Sequence, residues 1–100
     1  MAENDEIIIG DMKVAENVVN KIVRESAASA VGVSQVREVA VEPKDNGLVV
    51  NVTLAVGYKT IYPEVAADVQ KAVTTDINRM TGVKVAEVNV TVERLDFGKE

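Results

Sequence analysis

The side chains that could do chemistry in this chain are few in kind. Histidine and cysteine are both absent, so neither a base that titrates near neutral pH nor a thiolate nucleophile is at hand. Carboxylates, lysines and hydroxyls remain. Glu64 and Asp68 lie one helical turn apart and form a candidate acid–base pair, but on the polar side of an exposed helix they read as solvated surface, with Lys71 and Arg79 close by. Acidic residues also gather at Asn4-Asp5-Glu6 and Asp11, without the spacing of a calcium loop. Glycines 10, 32, 47, 57, 82 and 98 are too scattered to cradle a phosphate and read as turns and caps. No catalytic, metal or cofactor-binding residue is assigned, no cofactor is expected, and the chain reads as a non-enzyme.

The segment Gly57-Tyr58-Lys59-Thr60-Ile61-Tyr62-Pro63-Glu64 is more informative, because it places both tyrosines, a lysine and a proline in a loop that leads into a helix. Loops of this make-up often carry recognition. Tyr58, Lys59, Ile61, Tyr62 and Pro63 are therefore the candidate interaction surface. The purely structural reading is that Tyr58 ends a strand, Ile61 and Tyr62 fold over the helix entrance, and Pro63 starts the helix.

These residues need a scaffold, and composition bounds it. At 100 residues and 47% apolar content, the chain should fold as a single domain, 1–100, with one core. Residues 1–5 are expected to be disordered and 98–100 frayed. Valine occurs 21 times against three aromatic residues, so the core is built from β-branched packing that favours strands. The net charge of −5 opposes attraction to nucleic acid and to anionic lipid. No apolar run approaches the ~20 residues that span a bilayer, and the acidic start does not resemble a signal peptide. A cytoplasmic protein without direct membrane insertion is expected, one that makes no contact with nucleic acid.

Apolar positions 14, 18, 19, 22, 23, 27 and 30 recur at helical spacing and predict an amphipathic helix, with Gly32 as its stop signal. The valines at 36, 39 and 41 predict a strand over Ser34–Glu42 with a bulge near Arg37-Glu38. Pro43-Lys44-Asp45-Asn46-Gly47 reads as a turn, and the alternation from Val50 to Tyr58 as a second strand, the two forming a hairpin. A second helix follows, with Pro63 in its first turn, Val65, Val69, Ala72, Val73, Ile77 and Met80 on one face, and Arg79 and Gly82 at its end. Val85 to Leu95 is the last strand. Either Glu6–Ile9 or Met12–Val14 supplies an extended piece before the first helix.

A weak internal echo, Gly32-Val33 with Glu38-Val39-Ala40-Val41 against Gly82-Val83 with Glu87-Val88-Asn89-Val90, suggests two similar halves. The predicted class is α+β. The architecture is a two-layer sandwich of the split-βαβ kind, βαββαβ, or αββαβ if the first strand is absent, with two helices on one face of a mainly antiparallel sheet.

Tyr58-x-x-Ile61, then Pro63-Glu64-Val65-Ala66-x-x-Val69-Gln70-x-x-Val73, then Met80-Thr81-Gly82-Val83-x-Val85-x-x-Val88-Asn89-Val90-x-Val92 resemble the alkaline-shock and general-stress protein family of Gram-positive bacteria. Gly10 to Val19 is similar to that family's opening, and Val31-Gly32-Val33 to the joint after its first helix. The order and spacing of the pieces are more specific than any one of them; Val69-Gln70 and Val88-Asn89-Val90 are the best parts. The resemblance implies a non-enzymatic cytosolic protein of the envelope stress response, some relatives being held at the inner membrane face by a separate anchor protein. It supplies no catalytic residue.

The expectation is a stress-associated structural or interaction protein acting through protein contacts, with a membrane-anchored envelope protein or another copy of itself as partner. Exposed strand edges are a second candidate surface for self-association. The alternative is a small-molecule-sensing regulatory domain that binds at the strand-to-helix loops. An acyl-phosphate hydrolase on a similar fold lacks the arginine and asparagine pair such chemistry wants.

Overall fold

The computed structural model describes residues 6–9, 12–57 and 61–94. The expectations for residues 1–5, for Leu95 and for residues 98–100 lie outside these. Along the chain the elements are β1 (Glu6–Ile9), β2 (Met12–Ala15), α1 (Glu16–Ala28), β3 (Val33–Lys44), β4 (Gly47–Val56), α2 (Tyr62–Thr81) and β5 (Val85–Arg94).

The α+β class and the two-layer sandwich hold, with the αββαβ form describing the main layer. Its sheet has three strands in the order β3-β4-β5. β3 and β4 are antiparallel, as the turn at Asn46-Gly47 requires, whereas β4 and β5 are parallel and joined through α2. The sheet is thus mixed, and β4 and β5 are direct neighbours with no strand between them. Both candidate opening segments are strands, but they pair with each other, Ile7 opposite Val14 and Ile9 opposite Met12, as a separate hairpin. β1 lies against β3, and β2 leads straight into α1. That pairing also moves the start of α1 from Val14 to Glu16.

Each helix spans the sheet on the same side, α1 over β3 and α2 over β5, with the two helices in contact. Alternation in β4 sends Leu48, Val50, Val52, Leu54 and Val56 to the helices, and all five are buried. They meet Val19, Ile22, Val23 and Ala27 of α1 and Val65, Val69, Val73 and Ile77 of α2. Burying one such side chain contributes roughly 1.5–3 kcal/mol, so the valine-rich pattern stabilises the domain without aromatic bulk. Met80, expected on this face, is instead 55% exposed. Val83, just past the helix, is buried in the core in its stead.

The bulge expected at Arg37 is present, since the register slips between Val36 and Glu38, and a second slip falls between Val33 and Gln35. Arg37 reaches across β4 to Glu93 on β5 at 3.0 Å, on the sheet face that the helices leave open. Ala55, in register with Glu93, is the small residue beneath this crossing and is fully buried. Both halves of the internal echo begin at a glycine of positive φ before an outer strand. Gly82 at φ 79° caps α2, while Gly32 at φ 97° lies in the turn that follows α1. That helix ends at Ala28 rather than Ala30, with Ser29 as a right-handed cap.

Gly47 is required for a second reason. At φ 135°, a Cβ built on it would sit 2.8 Å from the Lys84 carbonyl oxygen and 3.0 Å from the Ala86 nitrogen. The next residue, Leu48, donates its N–H to that same carbonyl at 2.9 Å. The bare backbone of Gly47 therefore lets the start of β5 close onto the start of β4. Asn46, whose tolerance of positive φ also suggested the turn, does not use it. Replacing Gly47 by alanine should lower unfolding free energy by about 3 kcal/mol, measured by urea denaturation against a Gly57→Ala control.

Candidate interaction site

At one end of the sandwich, the turn after α1 meets the loop after β4. The Gly57 N–H donates to the Gly32 carbonyl at 3.2 Å, which stitches the two segments together. Beside this stitch, Val31 is 85% exposed, and Ile61, which caps α2, is 58% exposed. Isolated surface apolar residues are ordinary; here both belong to segments joined at one end. Of the sequence candidates, Ile61 and Pro63 are exposed and Tyr62 is half-buried against the core. Tyr62 packs partly against the core and keeps part of its surface open. Tyr58 and Lys59 lie outside the described residues.

From this end an open groove of about 460 Å³ runs between the last turns of α1 and the middle of α2. Its walls are Ser26, Ser29, Ala30 and Val31 on one side and Asp68, Lys71, Ala72, Thr75 and Asp76 on the other. Small side chains keep it open. The sequence reading missed it because its walls are about 40 residues apart in the chain; only the alanine and serine content of the α1 end hinted at a shallow helix surface.

The floor of the groove is held by one polar clasp. Ser26 Oγ donates to Asp76 Oδ2 at 2.5 Å, and Arg79 Nη2 donates to Asp76 Oδ1 at 3.0 Å. The Ser26 hydroxyl, then the Arg79 guanidinium, hold the Asp76 carboxyl below its ordinary value of 3.8. Ser26 is the buried polar residue of the core face of α1, so its hydroxyl finds its partner on the neighbouring helix. Glu64 and Asp68, the candidate acid–base pair, take no part in this clasp.

The strand edges carry side-chain caps. Arg24 donates to the Val36 carbonyl of β3 at 3.4 Å, and Gln70 to the Val88 carbonyl of β5 at 3.1 Å. Each contact occupies a single carbonyl of an outer strand, and the two register slips of β3 interrupt its regular ladder. On the open face, Asn89 donates to Asn51 at 2.9 Å, linking β5 to β4.

A family model with cell envelope-related function, that of the alkaline shock proteins, matches residues 34–97. The chain belongs to this family. The best parts of the family pattern, Val69-Gln70 and Val88-Asn89-Val90, now have a physical account: Gln70 pins α2 to β5, Asn89 pins β5 to β4, and the valines face the core.

No curated protein matches the sequence. Among solved structures, the chain is similar to a copper form of the MamM CTD at 20% identity and a TM-score of 0.67, covering 81% of this chain and 77% of that one. A histidine-to-alanine variant of that domain gives 16% identity and a TM-score of 0.60, over 81% and 99% of the two chains. A nickel form of another variant gives 16% and 0.58, over 79% and 98%. At such identities the likeness shows the fold. Among the described residues no three carboxylates come together as a metal site.

The clasp predicts a pH dependence. Because the Asp76 pKa is lowered on folding, its contribution is full above about 3.8 and is lost as pH falls through the lower folded value. Asp76 is partly exposed, so the loss is less than about 1 kcal/mol. Wild type should melt higher than Asp76→Asn at pH 7, and the gap should narrow progressively as the pH falls below about 3.8; an unchanged gap would remove the clasp.

Proposed function

We propose that this chain is a non-enzymatic, stress-associated interaction module of the cell envelope. Its contacts are made at the α1–α2 groove and the adjoining β4–α2 loop, Tyr58, Lys59, Ile61, Tyr62 and Pro63. The family supports the envelope setting. The observation that carries the site is the exposure of Val31 on the wall of an open groove and of Ile61 at the start of α2. Among the described residues no helix is long and apolar enough to cross a membrane; in this reading a protein partner provides attachment to the inner face of the membrane.

A groove of this size falls within the volume range of ligand pockets, roughly 300–1,000 Å³. Such pockets enclose most of their ligand, whereas this groove is open and walled partly by charged side chains. Protein contact is therefore the better reading than small-molecule sensing.

A photo-reactive amino acid placed at Val31 or Ile61 should yield protein adducts in stressed cells, and one at Asn51, on the open sheet face, should not. Adducts from Asn51 alone would move the interaction to the other side of the molecule.

A further inference from the structure

We infer that the α1–α2 groove takes an arginine or lysine side chain of a partner protein; this rests on the groove being the interaction site. α1 is 13 residues long and ends at Ala28, whereas α2 runs for 20. The helices are antiparallel, since each returns the chain to an outer strand and those strands, β3 and β5, run in opposite directions. The clasp sets Ser26 at the level of Asp76, so the first half of α2 extends past the end of α1. Asp68 stands about 12 Å further along α2 from the clasp. α1 therefore points its C-terminal end along the groove toward Asp68.

That end is short of cations. The last turn of α1 carries no basic residue, although the partial negative charge of a helix C-terminus favours one. Among the described residues the carbonyls of Ala28 and Ser29 accept no backbone bond, while those of Glu25, Ser26, Ala27 and Ala30 are taken. On α2, four-residue spacing sets side chains in stripes. Asp68, Ala72 and Asp76 form the stripe beside α1, with Ala72 and Asp76 half-buried, and Lys71, Thr75 and Arg79 form the next stripe outward, all three exposed. The inner stripe is thus acidic and the basic side chains stand at the lip. Asp76 is engaged by Ser26 and Arg79; Asp68 enters no ion pair among the described residues. A long basic side chain suits this space twice over, its stem lying on Ala30, Val31 and Ala72 and its head meeting Asp68 and the α1 carbonyls. An acidic side chain would meet like charge there, and an apolar one would cover those acceptors without supplying a donor.

NMR titration of the full chain tests this, with acetyl-Ala-Arg-Ala-amide as the cationic probe and the corresponding leucine and glutamate tripeptides as its apolar and acidic counterparts. The arginine peptide should shift the backbone amides of Ser29, Ala30, Val31, Asp68 and Ala72 saturably, and the other two should not. Asp68→Asn should weaken the arginine peptide about threefold, and Lys71→Gln, which removes a competing cation from the lip, should tighten it about twofold. Glu87→Gln removes the same charge from an exposed position on β5 and should bind as wild type does. All three variants lie on the surface, and matching melting curves establish that each is folded.

Equal binding of the leucine or glutamate peptide, no loss in Asp68→Asn, no gain in Lys71→Gln, or an equal loss in Glu87→Gln overturns the cationic occupant. An arginine peptide that gives no saturable shift, while Val31 photo-adducts form in cells, would overturn the cationic occupant and leave the interaction site standing. Absence of any Val31 or Ile61 adduct would instead overturn the site.

Discussion

The fold depends on β4. It is the central strand of the three-stranded sheet, and its inward residues from Leu48 to Val56 are buried along its whole length. β3 reaches it through a tight turn and β5 through a full helix. Both connections converge at Gly47, whose missing side chain admits the start of β5. Once the strand is fixed, the two helices have one apolar surface to cover, and the groove between them follows from where they end. A small core of branched aliphatic side chains suffices because nearly every inward position on three elements is filled by valine, isoleucine or leucine.

Much of this was legible in the sequence. Period-two alternation gave β4, helical spacing gave the buried faces of α1 and α2, and the break at Arg37-Glu38 gave the bulge. Gly82 announced the end of α2, which it caps in the left-handed conformation, whereas α1 ends earlier, at Ala28 with the right-handed Ser29 as its cap, and Gly32 serves the turn into β3. What periodicity does not encode is which strands become neighbours. The direct parallel pairing of β4 with β5, and the pairing of β1 with β2 away from the main sheet, rest on contacts between distant segments. Met80 looked inward by spacing, but Val83 occupies that end of the core.

The site was legible only in part. Ile61 and Pro63 were found from their loop chemistry, and Asp68 and Lys71 were noticed as charges on an exposed helix. Their meeting with Val31 across a groove was not readable, since the two walls come from different halves of the chain. On the outer strands, Arg24 occupies the Val36 carbonyl and Gln70 the Val88 carbonyl, contacts between helix and strand that alternation does not announce. The residues that best carry the family pattern, Gln70 and Asn89, tie elements together, while the proposed contact surface lies elsewhere.

The central claim is that this protein works through the end of its helix layer. Hydroxyl-radical footprinting of the chain in the native envelope fraction, compared with the dilute purified chain, tests it most directly. Val31 and Ile61 should become protected by several-fold, while Met80 and Val18, which are also exposed but lie outside the site, should react as before. Protection of Met80 or Val18 with Val31 and Ile61 unchanged would contradict the account.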